Sequence, residues 1–506
     1  MPKIILSTLN ARYSHSALGL RYLLVNMGTL EQETAIREFT LEKWATDIAE
    51  QLLAESPEII GFGVYIWNIQ ETTRLVGVLK SVAPGVKIVL GGPEVSYEWD
   101  KQPIVEMADH VITGQADHAF RELCVELLDR NTPDEKILQP PPPDLKTLTL
   151  PYRAYSDDDI ANRVIYVEAS RGCPFKCEFC LSALDKTSWP FHLPSFLEQM
   201  ENLYNRGVRH FKFVDRTFNL DVKSSNAILE FFLQRMDDKL FLHFEVIPDR
   251  LPEALKSTLQ RFPPGSLQLE IGIQSFNPDV QQLISRRQND EKSGENLRWL
   301  RQHSPAHLHA DLIIGLPGED MASFGEGFDR LYAMNPHEIQ VGILKRLRGA
   351  PIHRHSEAHQ LCFKPDPPYD ILSTDCIDFA TMQRLNRFAR YWDMVANSGR
   401  FRSSLPHILG ESPFERFLSL SDWLFEHTGQ VHRFALKRLF DLLYEGMTGV
   451  LGTDPEVAEN ALREDYQKAS LKGLPAFMLK PGVKLNESSN NETPLCGPTR
   501  QSRHRE

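Results

Sequence analysis

The sequence predicts an α/β protein with a doubly wound parallel sheet first, a second run of strand–helix repeats next and a mainly helical extension last. Apolar strands alternate with helical stretches from Lys3 to Asp129, and again from Val164 to Leu344. A proline-rich stretch divides the two runs, with Pro133, Pro140 to Pro143 and Pro151. Beyond Arg346 the alternation stops. The expected domains are therefore 1–130, a linker over 131–160, 161–346, a helical extension over 347–475 and a disordered tail over 476–506.

In the first run, Lys3 to Thr8, Ile59 to Ile66, Lys87 to Leu90 and Asp109 to Thr113 read as strands. Ala17 to Met27, Glu71 to Val82 and Ala119 to Asp129 read as helices. Ligands of such sheets sit beyond the carboxyl ends of the strands, where glycine lets them approach the backbone. The loops there carry Asn10, Tyr65, Trp67, Gly91, Gly92, Glu94 and Gly114. Prolines neither join a ladder nor continue a helix, so the linker is a stiff extended connector.

In the second run, the strands are Val164 to Ala169, His210 to Asp215, Leu240 to Ile247, Ser266 to Gln274, His307 to Gly315 and Glu338 to Leu344. The helices between them are Leu193 to Asn205, Val222 to Met236, Pro252 to Arg261, Pro278 to His303 and Met321 to Met334. Phe379 to Asn397, Pro413 to Gly429 and Val431 to Tyr444 are the helices of the extension.

The 506 residues carry a formal net charge of -12, which disfavours a dominant nucleic-acid-binding role. No apolar run approaches the roughly 18 residues of a membrane span. Met1 to Leu9 is an apolar strand with no basic region before it, so no signal peptide is read. The expectation is a soluble protein of a reducing cytoplasm, whose seven cysteines suit metal binding better than a disulfide framework.

The first strand of the second run ends in Arg171-Gly172, and Cys173, Cys177 and Cys180 follow at spacing C-x3-C-x2-C. Thiolates this close can hold a metal centre without distant residues. Four would complete an ordinary four-iron cluster or a structural zinc site; three leave one iron open. Zinc with a fourth ligand from elsewhere, or three reduced thiols, are the alternatives.

This segment, with Phe179 before the last cysteine, resembles the signature of the radical S-adenosylmethionine (SAM) enzymes. The resemblance implies a partial (β/α)6 barrel. It also implies a [4Fe-4S] cluster on the three cysteines, SAM on the open iron, and an electron donor such as flavodoxin or ferredoxin. Asp215 stands where the family often has a glutamate that meets the SAM amino group. Glu270 and Gln274, in Leu269-Glu-Ile-Gly-Ile-Gln274-Ser275, resemble its E-x-G-x-Q-S segment and would meet ribose or the methionyl group. Arg286 resembles the residue that meets the SAM carboxylate, and Gly315 and Gly318 its G-x-P-G-E turn beside adenine.

The first domain is similar to the cobalamin-binding, Rossmann-like domain found ahead of many such cores. It lacks that domain's full D-x-H-x-x-G motif, offering His15-Ser-Ala-Leu-Gly19, so cobalamin is expected without a histidine axial ligand. The extension resembles an uncharacterised region of one subgroup. The function implied is a cobalamin-dependent C-methyltransferase acting on a small molecule, with the catalytic residue unassigned. A radical cyclisation or oxidation without methyl transfer, a corrinoid or nucleotide carrier with structural zinc, and a tRNA-modifying enzyme are the rivals. The acidic total argues against the last.

Overall fold

The computed structural model describes residues 1–131, 133–185, 187–469, 473–478 and 499–504. They form two compact units, the first of 1–218 with 345–353 and 364–370, the second of the remainder.

The first unit opens with β1 (Ile4–Asn10), α1 (Leu18–Val25), β2 (Thr34–Thr40), α2 (Ala45–Leu53), β3 (Ile59–Gly63) and α3 (Ile69–Val82). It continues with β4 (Lys87–Gly91), α4 (Pro103–Met107), β5 (His110–Ile112), α5 (Ala119–Leu128) and β6 (Ile137–Leu138). The strands run parallel in the order β2-β1-β3-β4-β5-β6. Chain order reverses direction beside β1, which opens a ligand crevice beyond the carboxyl ends there. Every residue of β1 is buried, as expected of a strand covered by helices on both faces. Sequence reading missed β2 and α2. As an edge strand β2 carries Arg37 and Glu38 and is half-buried, so its apolar signal is weak.

The linker is tied to this sheet. Ser156 and Asp159 form a capping box at the start of α6 (Asp157–Asn162). Asp159 and Glu38 both pair with the buried Arg21 at 2.8 Å, and Arg163 reaches Glu38 at 3.0 Å. The first unit then holds β7 (Ile165–Val167), β8 (Ser170–Gly172), β9 (Ser188–Pro190), α7 (Leu193–Asn205) and β10 (His210–Phe213). β7 and β10 pair in parallel, whereas β8 and β9 form an antiparallel hairpin around the cysteine loop.

The second unit continues the βα repeat with α8 (Val222–Leu233), β11 (Phe241–Val246), α9 (Glu253–Leu259), β12 (Leu267–Gln274), α10 (Pro278–Leu283) and α11 (Asp290–His303). Then come β13 (His307–Ile314), α12 (Met321–Tyr332) and β14 (Glu338–Ile343). β11 to β14 are parallel neighbours in chain order. Asp221, Asn277, Asn289 and Asp320 start α8, α10, α11 and α12 by accepting backbone N–H groups, which satisfies donors a helix start leaves open. The helix expected over 278–303 is two, because Ser285 turns to φ 54° and Asn289 caps a new start.

The extension is mainly helical, as expected. A short hairpin of β15 (Cys362–Phe363) and β16 (Ile371–Ser373) precedes α13 (Phe379–Val395), α14 (Leu405–Leu409), α15 (Pro413–Thr428), α16 (Leu436–Gly449) and α17 (Pro455–Lys468). The helix expected from Val431 starts only at Leu436, since Arg433 has φ 61°. Most of the tail expected to be disordered, 479–498 and 505–506, lies outside the described residues. Within it, α18 (Thr499–Ser502) is a helical turn whose Arg500 donates to the Asn397 carbonyl at 2.9 Å.

Candidate functional site

The cysteine loop is built from its entry. Asp215, just after β10, is 3% exposed and accepts hydrogen bonds from Ala169 N (2.9 Å), Ser170 N (2.6 Å) and Ser170 Oγ (2.7 Å). It therefore braces the chain between β7 and β8, the last turn before the cysteines. Burial pushes its carboxyl up to about 7, against the three hydrogen bonds and helped by the nearby Glu168.

Gly172 has φ 94°, and a Cβ there would lie 2.5 Å from the Thr187 carbonyl, so only glycine lets β8 and β9 close at this point. Cys173 is buried, Cys177 and Cys180 half-buried, and Cys180 N–H donates to the Cys177 carbonyl at 3.0 Å. Burial raises the Cys173 thiol, with the Phe175 N–H opposing and the Cys180 and Cys177 sulfurs adding to the rise. Three thiols thus share one small loop, and it is as thiolates that such groups ligate a metal centre. Among the described residues no three His, Cys, Asp or Glu side chains gather around a single metal ion. A four-iron cubane takes each thiolate on a separate iron, so it does not need that convergence.

A cavity of about 210 Å³ opens beyond β3, β4 and β5, and Tyr65, Gly91, Gly92 and Gly114 line it as the sequence suggested. Gly92 adopts φ 107°, and a Cβ there would meet the Val64 carbonyl at 2.5 Å. Sequence reading missed Gly19, Gly61 and Gly63, which also line it. Two glycines two residues apart inside a buried strand were the available signal, since they clear one face of β3. Most of the walls are apolar (Leu20, Leu23, Val89, Ile112, Phe120), a fit for a flat ring, while Gln115, Asp117 and Arg171 add polar groups to the lining.

The other loop residues of that group lie elsewhere. Asn10 donates to the His15 carbonyl and to Glu38, both at 3.0 Å. Trp67 stacks on Tyr65 with ring centroids 4.5 Å apart and stays half-exposed. His15 Nδ1 lies 2.6 Å from Tyr166 Oη, so this nitrogen is already engaged.

Glu94 is buried and held by Arg348 Nε at 2.9 Å and Tyr369 Oη at 2.7 Å. Its pKa is raised by burial, against those two donors. The segment 345–353, which carries Arg348, also places Ile352 N–H 2.9 Å from the carbonyl of Glu178, which lies between the last two cysteines.

In the second unit, Glu270 Oε2 lies 2.8 Å from His243 Nε2. Arg286 sits in the break between α10 and α11 and donates to the Gly272 carbonyl and, at 3.0 Å, to Gln288. The Gln274 amide closes over Gly272, so the structure gathers Gln274 and Arg286 at one glycine. Gly315 and Gly318 form the expected turn with φ 86° and 77°, and pack against Ile371 and Leu283 respectively.

The three-cysteine loop and the glycine-floored cavity lie in one compact unit. Residues 167–331 match the radical SAM superfamily model, 5–124 the B12 binding domain and 357–493 a protein of unknown function family, DUF4080. The chain therefore carries a B12-binding domain, a radical SAM domain and a DUF4080 region, in that order. Radical SAM domains use a [4Fe-4S] cluster and SAM, and the B12-binding domain is a cobalamin module.

An uncharacterised methyltransferase of Pyrococcus horikoshii is 25% identical over 335 residues, 60% of this chain and 70% of that protein. The cobalamin-dependent radical SAM methyltransferase TokK of Streptomyces tokunonensis is 25% identical over 361 residues, 62% of this chain and half (50%) of its own length. The structure of the radical SAM methyltransferase TsrM from Kitasatospora setae with cobalamin and [4Fe-4S] cluster bound superposes with a TM-score of 0.60. It is 15% identical, covering 93% of this chain and 100% of that one, which establishes the shared fold. No helix of the described residues is long and apolar enough to cross a membrane.

Proposed function

We propose that the protein is a cobalamin-dependent radical SAM methyltransferase that places a methyl group on carbon in a small molecule. The observation that carries this reading is the occurrence of the cysteine loop and the apolar, glycine-floored cavity in one compact unit. Cys173, Cys177 and Cys180 would hold three irons, and the cavity walls would take the flat base of the corrinoid. Bound there, the cluster supplies the electron that cleaves the SAM sulfonium, and the corrinoid carries the methyl group.

The chain's own residues do the placing. Asp215 fixes the entry to the loop through Ala169 and Ser170, and the Ile352 N–H steadies the turn between Cys177 and Cys180. Gln274 and Arg286, gathered at Gly272, offer an amide and a guanidinium for the methionyl carboxylate; Glu270 offers a carboxylate for ribose hydroxyls. The Gly315–Gly318 turn presents backbone to the adenine. An electron donor of the flavodoxin or ferredoxin type completes the proposal.

The test is anaerobic. Protein reconstituted with ferrous iron and sulfide, loaded with hydroxocobalamin and reduced, is expected to consume SAM; the Cys177→Ala protein is expected not to. With SAM labelled by deuterium in its methyl group, a cell extract should yield a small molecule three mass units heavier than its unlabelled form. SAM cleavage by the Cys177→Ala protein would overturn the cluster assignment. SAM cleavage with no label transferred would overturn methyl transfer.

A further inference from the structure

One side chain joins the cysteine loop to the cavity. Arg171 is the central residue of β8, two positions before Cys173, and it also lines the cavity. Its guanidinium donates to Glu168 Oε1 at 2.8 Å, and to Gln115 Oε1 and Asp117 Oδ2, each at 3.0 Å. It lies 4.7 Å above the centre of the Tyr22 ring, on α1. Gln115 and Asp117 follow Gly114 in the loop leaving β5, and all three line the same cavity. The cavity rim and the strand that delivers the first cysteine thus grip the same planar fork. A guanidinium offers five donors in fixed geometry, so moving one acceptor tilts the fork for the others. Its side chain is only 17% exposed, so losing an acceptor leaves a buried charge short of partners.

We propose that Arg171 is a positioning residue that couples the two cofactor sites: a corrinoid in the cavity fixes the Gly114–Asp117 rim, and through Arg171 sets β8 and Cys173. The inference rests on the cobalamin and cluster reading above. Because binding linkage is reciprocal, a loaded cluster tightens corrinoid binding by the same factor.

Hydroxocobalamin titrations of the full-length chain test this, on iron-free protein and on protein reconstituted anaerobically with ferrous iron and sulfide. Wild-type protein is expected to bind about tenfold tighter with the cluster than without it, a coupling of ordinary size. In Arg171→Lys, which keeps the charge and loses the fork, that ratio falls towards one while both forms still bind. Asp117→Asn breaks the same link from the rim side and is expected to lower the ratio too, with Arg171 intact. A merely structural arginine would weaken both forms equally and leave the ratio unchanged. An unchanged ratio in both variants, or equal affinities in the wild type, overturns the coupling. Retention of no hydroxocobalamin by any form overturns the corrinoid reading itself, and the coupling falls with it.

Discussion

Glu319 shows how a single residue stores pH dependence. It is 2% exposed, Ser275 Oγ donates to one carboxyl oxygen, and the other oxygen has no hydrogen-bond partner among the described residues. Burial pushes its pKa up to about 7, against the Ser275 bond and with a small addition from Asp320. Raised above its unfolded value, the group holds a proton in the folded state that the unfolded chain has already released. Its contribution to stability is therefore full below about pH 4.3, the unfolded value, and is lost as pH rises through 7. Glu319→Gln keeps the site neutral at every pH. Urea unfolding at pH 5 and pH 8 is expected to show a fall in wild-type stability on the order of 1–3 kcal/mol beyond that of the variant. Parallel losses in the two proteins would refute this. The sequence marked the Gly-Leu-Pro-Gly-Glu turn, but it carried no sign that its carboxylate would be buried beside a serine 44 positions away.

At the scale of elements, the β8–β9 hairpin is the smallest and the most consequential piece. Each of its strands has three residues, too few for periodicity to register, so sequence reading passed from β7 directly into the cysteines. Gly172 closes it in a backbone conformation that L side chains rarely adopt. Gly172→Ala is expected to cost roughly 1–3 kcal/mol in strain and to displace Cys173. Iron bound per chain after reconstitution should fall well below wild type, and a wild-type iron content would disprove the constraint. The break between α10 and α11 escaped notice for a related reason: no glycine or proline marks it. It is what lets Arg286 turn back to the Gly272 carbonyl. Long elements were legible, with α7 found at both ends and α8, α12, α13 and α15 to within a turn, because their apolar spacing and Asx or proline starts agree.

At the scale of the whole molecule, the chain passes between its two units at 218–219, 344–345, 353–354, 363–364 and 370–371. The strap this returns to the first unit pairs Arg348 with Glu94 across 254 positions of sequence. Removing one partner of a buried pair leaves the other charge uncompensated, so Arg348→Met is expected to cost on the order of 3–5 kcal/mol. Adding Glu94→Gln to Arg348→Met should recover part of that loss, because the uncompensated charge goes with it. Strictly additive effects in the denaturation curves of the two single variants and the double would rule out the pair as a coupled unit.

The sequence by itself determined the local matters: two runs of parallel strand–helix repeats, a helical extension, three cysteines on one loop and the glycines after β4 and β5. Each of these is written in a short stretch, where spacing and residue type decide the conformation. Only the tertiary structure decided that Asp215 braces the cysteine entry, that Gly61 and Gly63 floor a cavity, and that Arg171 grips its rim. It alone returned Arg348 and Tyr369 to Glu94. Those outcomes depend on which residues a folded backbone brings within about 3 Å of one another, the reach of a hydrogen bond, and sequence separation does not encode that.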